Sequence, residues 1–238
     1  MKIIIKESYE ELSEEAAAIV AGALKNKPNL ILGLASGETP IGTYKILIEK
    51  YQKGEIDFKD ITTFNLDEYV GLASEHPRSY HSYMKNNFFS EVNLNPQNIF
   101  FPPTNPEEFG EFENKIKDLG GIDLQILGVG GDGHIAFDEP GSSFDSRTRI
   151  VTLREETIRD NAKLFNNNID EVPHQGATMG LATIMEAKRL LLLAFGEKKA
   201  EVVSKALKGP ITTEMPASIL QKHPDLAVIL DKDASSQL

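Results

Sequence analysis

The sequence predicts an α/β protein whose mainly parallel sheet is covered by helices on both faces. Apolar runs of strand length alternate with segments of helical period along all 238 residues. The runs lack strict alternation of polar and apolar residues, as expected for strands buried on both faces under βαβ crossovers. Because an α/β chain of this length commonly forms one unit, we expect residues 1–238 to fold as a single domain.

The strands are predicted from short runs rich in Ile, Leu, Val and Phe, residues that favour a buried, pleated backbone. The eight runs cover residues 2–5, 30–34, 61–66, 99–101, 124–127, 150–153, 190–194 and 226–230.

The helices are predicted from apolar residues that recur every three or four positions. In the segment 9–24, Leu12, Ala16 and Val20 fall on one face, which is typical of an amphipathic helix. The same period predicts helices over residues 43–51, 80–89, 107–119, 155–164 and 198–207.

The composition excludes several classes of function. The chain carries 25 Lys and Arg against 36 Asp and Glu, a net charge of −11, and has no basic cluster, so nucleic acid is not an expected partner. No apolar stretch approaches the roughly 20 residues that a membrane span needs. The absence of cysteine excludes disulfides and thiolate chemistry. We therefore expect a cytoplasmic protein whose catalytic groups are carboxylates, histidines and lysines.

The loop that follows the second predicted strand has the composition of an anion site. Ser36, Gly37 and Thr39 supply hydroxyls and unobstructed backbone N–H groups where a helix begins, near Ile41. Free N–H donors and the positive end of a helix both favour a phosphate there. The alternative is an N-capped turn without a ligand. The loop is not a Walker loop, because no Lys follows the second glycine, and it is not a nucleophile elbow, because Leu34 occupies the position two residues before Ser36 that would need glycine.

Two adjacent acids, Asp67 and Glu68, follow the third predicted strand. In open α/β sheets ligands bind beyond the carboxyl ends of the strands, so this position favours a functional role over a solvated turn. A carboxylate held in a closed pocket can remove a proton next to a carbonyl group. We therefore expect a general base here.

The glycine-rich segment 128–141 contains the pattern G-x-G-x-x-G, but it does not predict a dinucleotide site. That fingerprint must open a helix, whereas Gly133 leads into a segment that Pro140 and Gly141 interrupt. What remains is Asp132, His134 and Glu139, two acids flanking a histidine whose tautomer a carboxylate can hold. The five histidines show no H-x-H or H-E-x-x-H spacing, so we expect a mechanism without a metal.

Taken together, these segments resemble the glucosamine-6-phosphate deaminase family, whose members isomerise and deaminate glucosamine 6-phosphate to fructose 6-phosphate and ammonia. The resemblance runs along the whole chain, and its specific parts are the Asp-Glu-Tyr segment and the segment Asp-Gly-His-Ile-Ala-Phe-Asp-Glu-Pro. The matching stretches are 32–40 (LGLASGETP), 64–71 (FNLDEYVG), 128–140 (GVGGDGHIAFDEP), 146–149 (SRTR) and 195–200 (FGEKKA).

The resemblance implies a Rossmann-like three-layer αβα domain and a role for each matching residue. Asp67 corresponds to the base that moves a proton between C2 and C1, and His134 to the acid/base that opens the sugar ring. Asp132 and Glu139 correspond to acids that orient this histidine. The implied phosphate contacts come from the loop residues Ser36, Gly37 and Thr39. Two lysines are implied as further contacts: Lys199, and Lys163 on a helix that the family uses as a mobile lid. The implied chemistry needs no redox cofactor.

Three residues depart from the family pattern. Glu38 replaces a small residue in the phosphate loop, Lys163 replaces an arginine, and Asp138 replaces an asparagine. A carboxylate near a phosphate is repulsive, so we expect Glu38 to face solvent or a cation such as Lys163 or Lys199.

Three alternatives stay open from the sequence. A 6-phosphogluconolactonase-like hydrolase would share the fold and the phosphate loop without needing a base such as Asp67. A sugar-phosphate sensor would need the loop but not Asp67, His134 and Glu139 together. A galactosamine-6-phosphate deaminase would differ only in the epimer of the substrate. The sequence does not distinguish a monomer from a homo-oligomer.

Overall fold

A seven-stranded, wholly parallel sheet forms the centre of the computed structural model, which describes all 238 residues. A separate antiparallel sheet contains three short strands. In chain order the strands are β1 (Lys2–Lys6), β2 (Ile31–Leu34), β3 (Thr62–Asn65), β4 (Asp67–Tyr69), β5 (Ile99–Phe100), β6 (Leu124–Leu127), β7 (Arg149–Thr152), β8 (Gln175–Thr178), β9 (Leu190–Ala194) and β10 (Leu226–Asp231).

The central sheet has the order β1-β10-β9-β6-β2-β3-β5 and contains seven of the eight predicted strands. Every residue of β2, β6, β9 and β10 is buried. Because successive side chains of a strand point to opposite faces, complete burial means that both faces are covered. The predicted α/β class with a mainly parallel sheet is therefore confirmed.

The helices flank this sheet, and all six that the sequence predicts are present. The first begins after Ser8, whose hydroxyl accepts the backbone N–H of Glu11 and so caps the helix. No helix combines the length and apolar composition that a membrane crossing requires. The α-helices are α1 (Tyr9–Asn26), α2 (Ile41–Gln52), α3 (Tyr80–Asn87), α4 (Phe109–Asp118), α5 (Glu155–Asn161), α6 (Leu181–Met185) and α7 (Ala200–Lys208).

The second sheet has the order β4-β8-β7 and corrects one expectation. The predicted strand 150–153 is β7, which pairs antiparallel with β8 rather than joining the parallel sheet. Asp67 and Arg149 both face Thr178 of β8 across the ladder. Neither β8 nor α6 was predicted. The strand β8 reads Gln-Gly-Ala-Thr, a polar and small-residue sequence without the apolar run that identifies a strand.

The strand order brings the predicted functional segments to one edge of the central sheet. The chain leaves β2 for β3 on one side and later returns to β6 on the other side of β2. Such a reversal of strand order opens a crevice at the carboxyl ends of the two strands, where α/β proteins bind ligands. The loop 35–40 follows β2 and the glycine-rich segment follows β6, so both border this crevice.

Gly180, which follows β8, packs too tightly for a side chain. A Cβ there would lie 2.2 Å from the carbonyl oxygen of Ser146. We predict that Gly180→Ala lowers the free energy of unfolding by about 1–3 kcal/mol, the usual cost of overpacking, measured by urea denaturation. The matched control is Gly22→Ala in α1, where a Cβ would meet no atom within 4 Å. It should raise stability by about 0.5–1 kcal/mol. Equal stability of the two variants would contradict the packing argument.

Candidate active site

The loop between β2 and α2 presents a row of free backbone donors. The N–H groups of residues 36–39 make no hydrogen bond within the protein. Gly37 has φ +95°, a left-handed conformation that favours glycine, and this turn helps to orient the donors. Because the loop ends where α2 begins, the helix dipole adds a positive potential. The predicted residues Ser36, Gly37 and Thr39 thus lie in a loop suited to a phosphate.

Two tyrosines from distant helices hold the backbone of this loop. The Tyr9 hydroxyl lies 3.1 Å from the carbonyl oxygens of Glu38 and Thr39 and accepts the Gly42 N–H at 2.8 Å. The Tyr83 hydroxyl donates to the carbonyl oxygen of Gly37. Sequence reasoning missed both residues, since no local pattern relates a tyrosine of α1 or α3 to a loop so far away in the chain.

Asp67 lies at the point where the chain passes from the central sheet to the small sheet. Leu66 alone separates β3 from β4, and Asp67 is the first residue of β4. Only 6% of Asp67 is exposed. Burial, followed by the nearby charges of Glu68 and Asp138, raises the pKa of Asp67 to about 8, although a hydrogen bond from Ser36 opposes the shift. A carboxylate with this pKa is a far stronger base than one in water.

The loop 35–40 and Asp67 are in direct contact. The Ser36 hydroxyl donates to Oδ1 of Asp67 across 3.4 Å. A ligand whose anionic end occupies the loop would therefore have its adjoining part beside this carboxylate.

His134 is held by one of the two acids that the sequence associates with it. Its Nδ1 lies 2.6 Å from Oδ1 of Asp132, which also accepts the His134 backbone N–H at 3.1 Å. Burial would raise the pKa of Asp132, but the contact with His134 outweighs it and lowers that pKa to about 2. With Nδ1 engaged by a carboxylate, Nε2 is the nitrogen available to a substrate.

Tight backbone packing lets the imidazole of His134 lie against the loop itself. A Cβ on Gly130 would fall 2.0 Å from the His134 ring, so only glycine fits there. Ala136, two residues after His134, has φ +54°, an unfavourable conformation for a residue with a side chain. Strain of this kind is common in loops that carry catalytic groups.

Glu139 makes its side-chain hydrogen bonds at the start of α5 and none to His134. Its carboxylate accepts the backbone N–H of Arg154 at 3.0 Å and a hydrogen bond from the Thr157 hydroxyl. Because α5 begins at Glu155, the carboxylate satisfies free donors at the start of that helix. The contact between Glu139 and His134 that the resemblance implies is not formed in this structure; Glu139 instead links the glycine-rich segment to α5.

Asp138 is completely buried and is paired with Arg149 of β7 at 2.7 Å. Burial raises the pKa of Asp138 to about 6, although the guanidinium of Arg149 opposes the shift. The residue that departs from the family pattern is thus balanced by a cation, while its charge still acts on Asp67.

Both predicted lysines reach the crevice. Lys199 precedes α7 and donates from Nζ to the carbonyl oxygen of Val129 at 2.7 Å, and its burial lowers its pKa. Lys163 lies in a 3₁₀ turn (Ala162–Phe165) after α5, and its Nζ is 3.0 Å from Oε1 of Glu38. The expectation that Glu38 faces a cation is confirmed. No group of three or more Asp, Glu or His side chains lies together as metal ligands would.

The chain matches known proteins over nearly its whole length. The model of a family described as glucosamine-6-phosphate isomerases/6-phosphogluconolactonase matches residues 5–228. A glucosamine-6-phosphate deaminase of Thermoanaerobacter pseudethanolicus is 50% identical over 240 residues, which cover 99% of this chain and 94% of that protein. Glucosamine-6-phosphate deaminase 2 of Bacillus subtilis is 49% identical over 243 residues, covering 100% of this chain and 98% of the relative.

Solved structures give the same result. The structure of a monomeric glucosamine-6-phosphate deaminase superposes with a TM-score of 0.96 at 46% identity, covering 100% of both chains. A 6-phosphogluconolactonase of Trypanosoma brucei superposes with a TM-score of 0.80 at 19% identity, covering 100% of this chain and 98% of the other, and at that identity shares the fold alone. The chain therefore belongs to the glucosamine-6-phosphate isomerase/6-phosphogluconolactonase family.

Proposed function

We propose that this protein converts D-glucosamine 6-phosphate to D-fructose 6-phosphate and ammonia, a reaction of amino sugar catabolism. The observation that carries the proposal is the buried Asp67, a strong carboxylate base one hydrogen bond away from an anion-binding loop. Relatives named glucosamine-6-phosphate deaminase, 49–50% identical along the whole chain, support the same substrate and reaction.

The phosphate of the substrate would bind to the free N–H groups of residues 36–39. Lys199 lies close enough to this loop to interact electrostatically with Glu38 and Lys163. Lys163 would exchange its ion pair with Glu38 for the phosphate, which carries about −1.5 to −2 charges at neutral pH. In this way two lysines and the row of backbone N–H groups would offset the acidic net charge of the protein at the binding site.

His134 and Asp67 would divide the proton transfers between oxygen and carbon. His134, held by Asp132, would give a proton to the ring oxygen and later exchange one with O1 through its Nε2 atom. Asp67 would take the C2 proton; the C–H electrons then form the C1=C2 bond, the C1=O π electrons move to O1, and O1 takes a proton from His134, which gives an enolamine. Return of this proton to C1 gives an imine at C2, and water then releases ammonia and leaves the ketone.

The alternative activity, 6-phosphogluconolactone hydrolysis, requires different catalytic groups. Opening a lactone requires attack of water on a carbonyl carbon and removes no proton from carbon, so it does not need a carboxylate placed to take a proton from C2, the role proposed for Asp67. A deaminase acting on galactosamine 6-phosphate would use the same groups as the proposed reaction.

One coupled assay separates these activities. Purified protein is given glucosamine 6-phosphate, galactosamine 6-phosphate or 6-phosphogluconolactone, and ammonia release or lactone hydrolysis is followed. We expect ammonia from glucosamine 6-phosphate at the highest rate. Hydrolysis of the lactone without ammonia from either amino sugar phosphate would refute the proposal, and faster release from the galactosamine epimer would change the substrate.

We predict that Asp67→Asn removes turnover while keeping substrate binding. The amide is nearly isosteric with the carboxylate but cannot accept the C2 proton, and general-base catalysis is commonly worth about 10²–10⁴-fold. The measurement is kcat for ammonia release together with the dissociation constant of the substrate from calorimetry. A variant that keeps more than a tenth of wild-type kcat would show that Asp67 is not the base.

The same substitution should stabilise the protein at alkaline pH. The pKa of Asp67 is about 8 in the folded chain and about 3.9 in an unfolded one, so the native state loses stability as pH rises from about 4 to about 8. The asparagine variant escapes this loss, and its advantage should grow by at most about 1.4 kcal/mol per pH unit in that window. Melting temperatures of both proteins from pH 4 to 9 test this. Curves that stay parallel would contradict it.

Glu38 should weaken phosphate binding through its charge. We predict that Glu38→Gln frees Lys163 and lowers KM by up to about fivefold at low salt, with less effect at high salt and little change in kcat. The control is Glu49→Gln on α2, which removes the same charge from an exposed pair with Lys53. Equal KM values for the two variants would show that Glu38 does not act on the phosphate.

A further inference from the structure

A second buried carboxylate stands next to the proposed base and has no part in the proton transfers described above. Glu68 is 3% exposed, and its two oxygens accept four contacts. Oε1 accepts the backbone N–H groups of Tyr69 at 2.7 Å and Tyr80 at 3.0 Å. Oε2 accepts the backbone N–H of His81 at 2.9 Å and lies 2.6 Å from Nδ1 of the same residue. Glu68 thus ties β4 to the first turn of α3.

His81 makes the side-chain contact in this set and is held from two directions. Its ring stacks on Phe101 with centroids 3.6 Å apart and planes inclined by 22°. The contact to Glu68 makes Nδ1 the protonated nitrogen, since the carboxylate can only accept. The side chain remains 39% exposed, so the outer edge of the ring reaches solvent. His81 therefore connects the surface to a buried carboxylate one residue from Asp67.

We propose that His81 is a positioning residue of the reaction: by donating from Nδ1 to Glu68 it holds β4 in place and moderates the negative charge beside Asp67. This inference rests on the proposed function, because it takes Asp67 as the base.

The electrostatic surroundings of Asp67 support this role. The charges that act on Asp67 come from Glu68 on its own strand and Asp138 on the glycine-rich segment, and Ser36 donates to it from the phosphate loop. The buried hydroxyls of Tyr69 and Tyr80 also face it. Two of these groups carry a charge that a partly exposed donor offsets: Asp138 is bonded to Arg149, and Glu68, on the same strand as Asp67, is bonded to His81. Loss of the His81 donor would leave more negative charge on Glu68 and raise the pKa of Asp67.

The groups around His81 show which contact could transmit a change at His81 to the pKa of Asp67. Glu68 faces its Nδ1 atom, Glu75 interacts with it electrostatically, and Lys85 lies one turn further along α3 and acts on Glu75 as well. Phe101 covers one face of the ring without a charge. Glu68 is the one group among these that is both bonded to His81 and adjacent to Asp67.

Three variants separate the hydrogen bond from the packing of the ring. His81→Phe keeps an aromatic ring for Phe101 but has no donor. His81→Asn loses the ring, while its amide can place an N–H near the position of Nδ1. Phe101→Leu removes the stacking partner and leaves His81 intact. Each is compared with wild type by kcat, KM and kcat/KM for ammonia release from pH 6 to 10, and by melting temperature.

We expect His81→Phe to move the midpoint of the rising limb of kcat/KM upward by about 0.5–1 pH unit and to lower kcat at pH 7 several-fold, with KM nearly unchanged. His81→Asn should recover most of the wild-type midpoint, and Phe101→Leu should leave it in place.

Two results would overturn the role of His81 and leave the proposed function in place. One is an unchanged pH midpoint of kcat/KM in His81→Phe, and the other is an equal loss of kcat in all three variants together with lower melting temperatures. Wild-type protein that releases no ammonia would overturn the proposed function and this inference with it.

Discussion

The exclusion of water from the Asp67 carboxylate is the constraint on which the site depends. A carboxylate in water is a weak base toward a proton on carbon, and removal from water raises its proton affinity. The fold achieves this by changing sheets within one residue: β3 belongs to the parallel sheet, Leu66 is the connection, and Asp67 already pairs in the antiparallel sheet. The carboxylate therefore lies at the junction of two sheets, 6% exposed.

The other acids of the site are explained by how each one is compensated. Asp132 is bonded to His134, Asp138 to Arg149, and Glu68 to three backbone N–H groups and His81. Asp67 has a single hydroxyl donor, that of Ser36, at the long distance of 3.4 Å. Because a buried acid without a cationic partner keeps its proton most tightly, this difference in partners distinguishes the proposed base from its neighbours.

The protein binds an anion although its own net charge is −11. Local groups decide the binding, because charges more than about 8 Å away are screened at physiological salt. In the proposed site the free N–H groups of residues 36–39, the half-buried Lys199 and the exposed Lys163 would supply the local attraction, and Glu38 would oppose it. The tyrosines Tyr9 and Tyr83 add rigidity, so that the donors are oriented before a ligand arrives.

Much of the fold and of the candidate site could be predicted from the sequence. The features that could not be predicted have physical reasons for leaving no local signal. The strands β2, β6, β9 and β10 are buried on both faces, so each appears as an apolar run, and the loops after β2, β3 and β6 follow from the predicted strands. The small sheet could not be predicted because its middle strand, Gln175–Thr178, has no apolar run and is held by pairing with strands distant in the sequence. The contacts of Glu139 with Arg154 and Thr157, and of Glu68 with His81, also join residues from separate segments. Hydrogen bonds between segments leave no periodic signal in a single sequence.

Direct titration of Asp67 tests the central claim that burial creates the base. Carboxyl-labelled aspartate can be followed by ¹³C NMR from pH 3 to 10, with the signal of Asp67 assigned by its loss in the asparagine variant. The structure predicts a midpoint at about 8. A midpoint near 4, the ordinary value for an aspartate in water, would contradict the account, because Asp67 would then be no stronger a base than any exposed carboxylate.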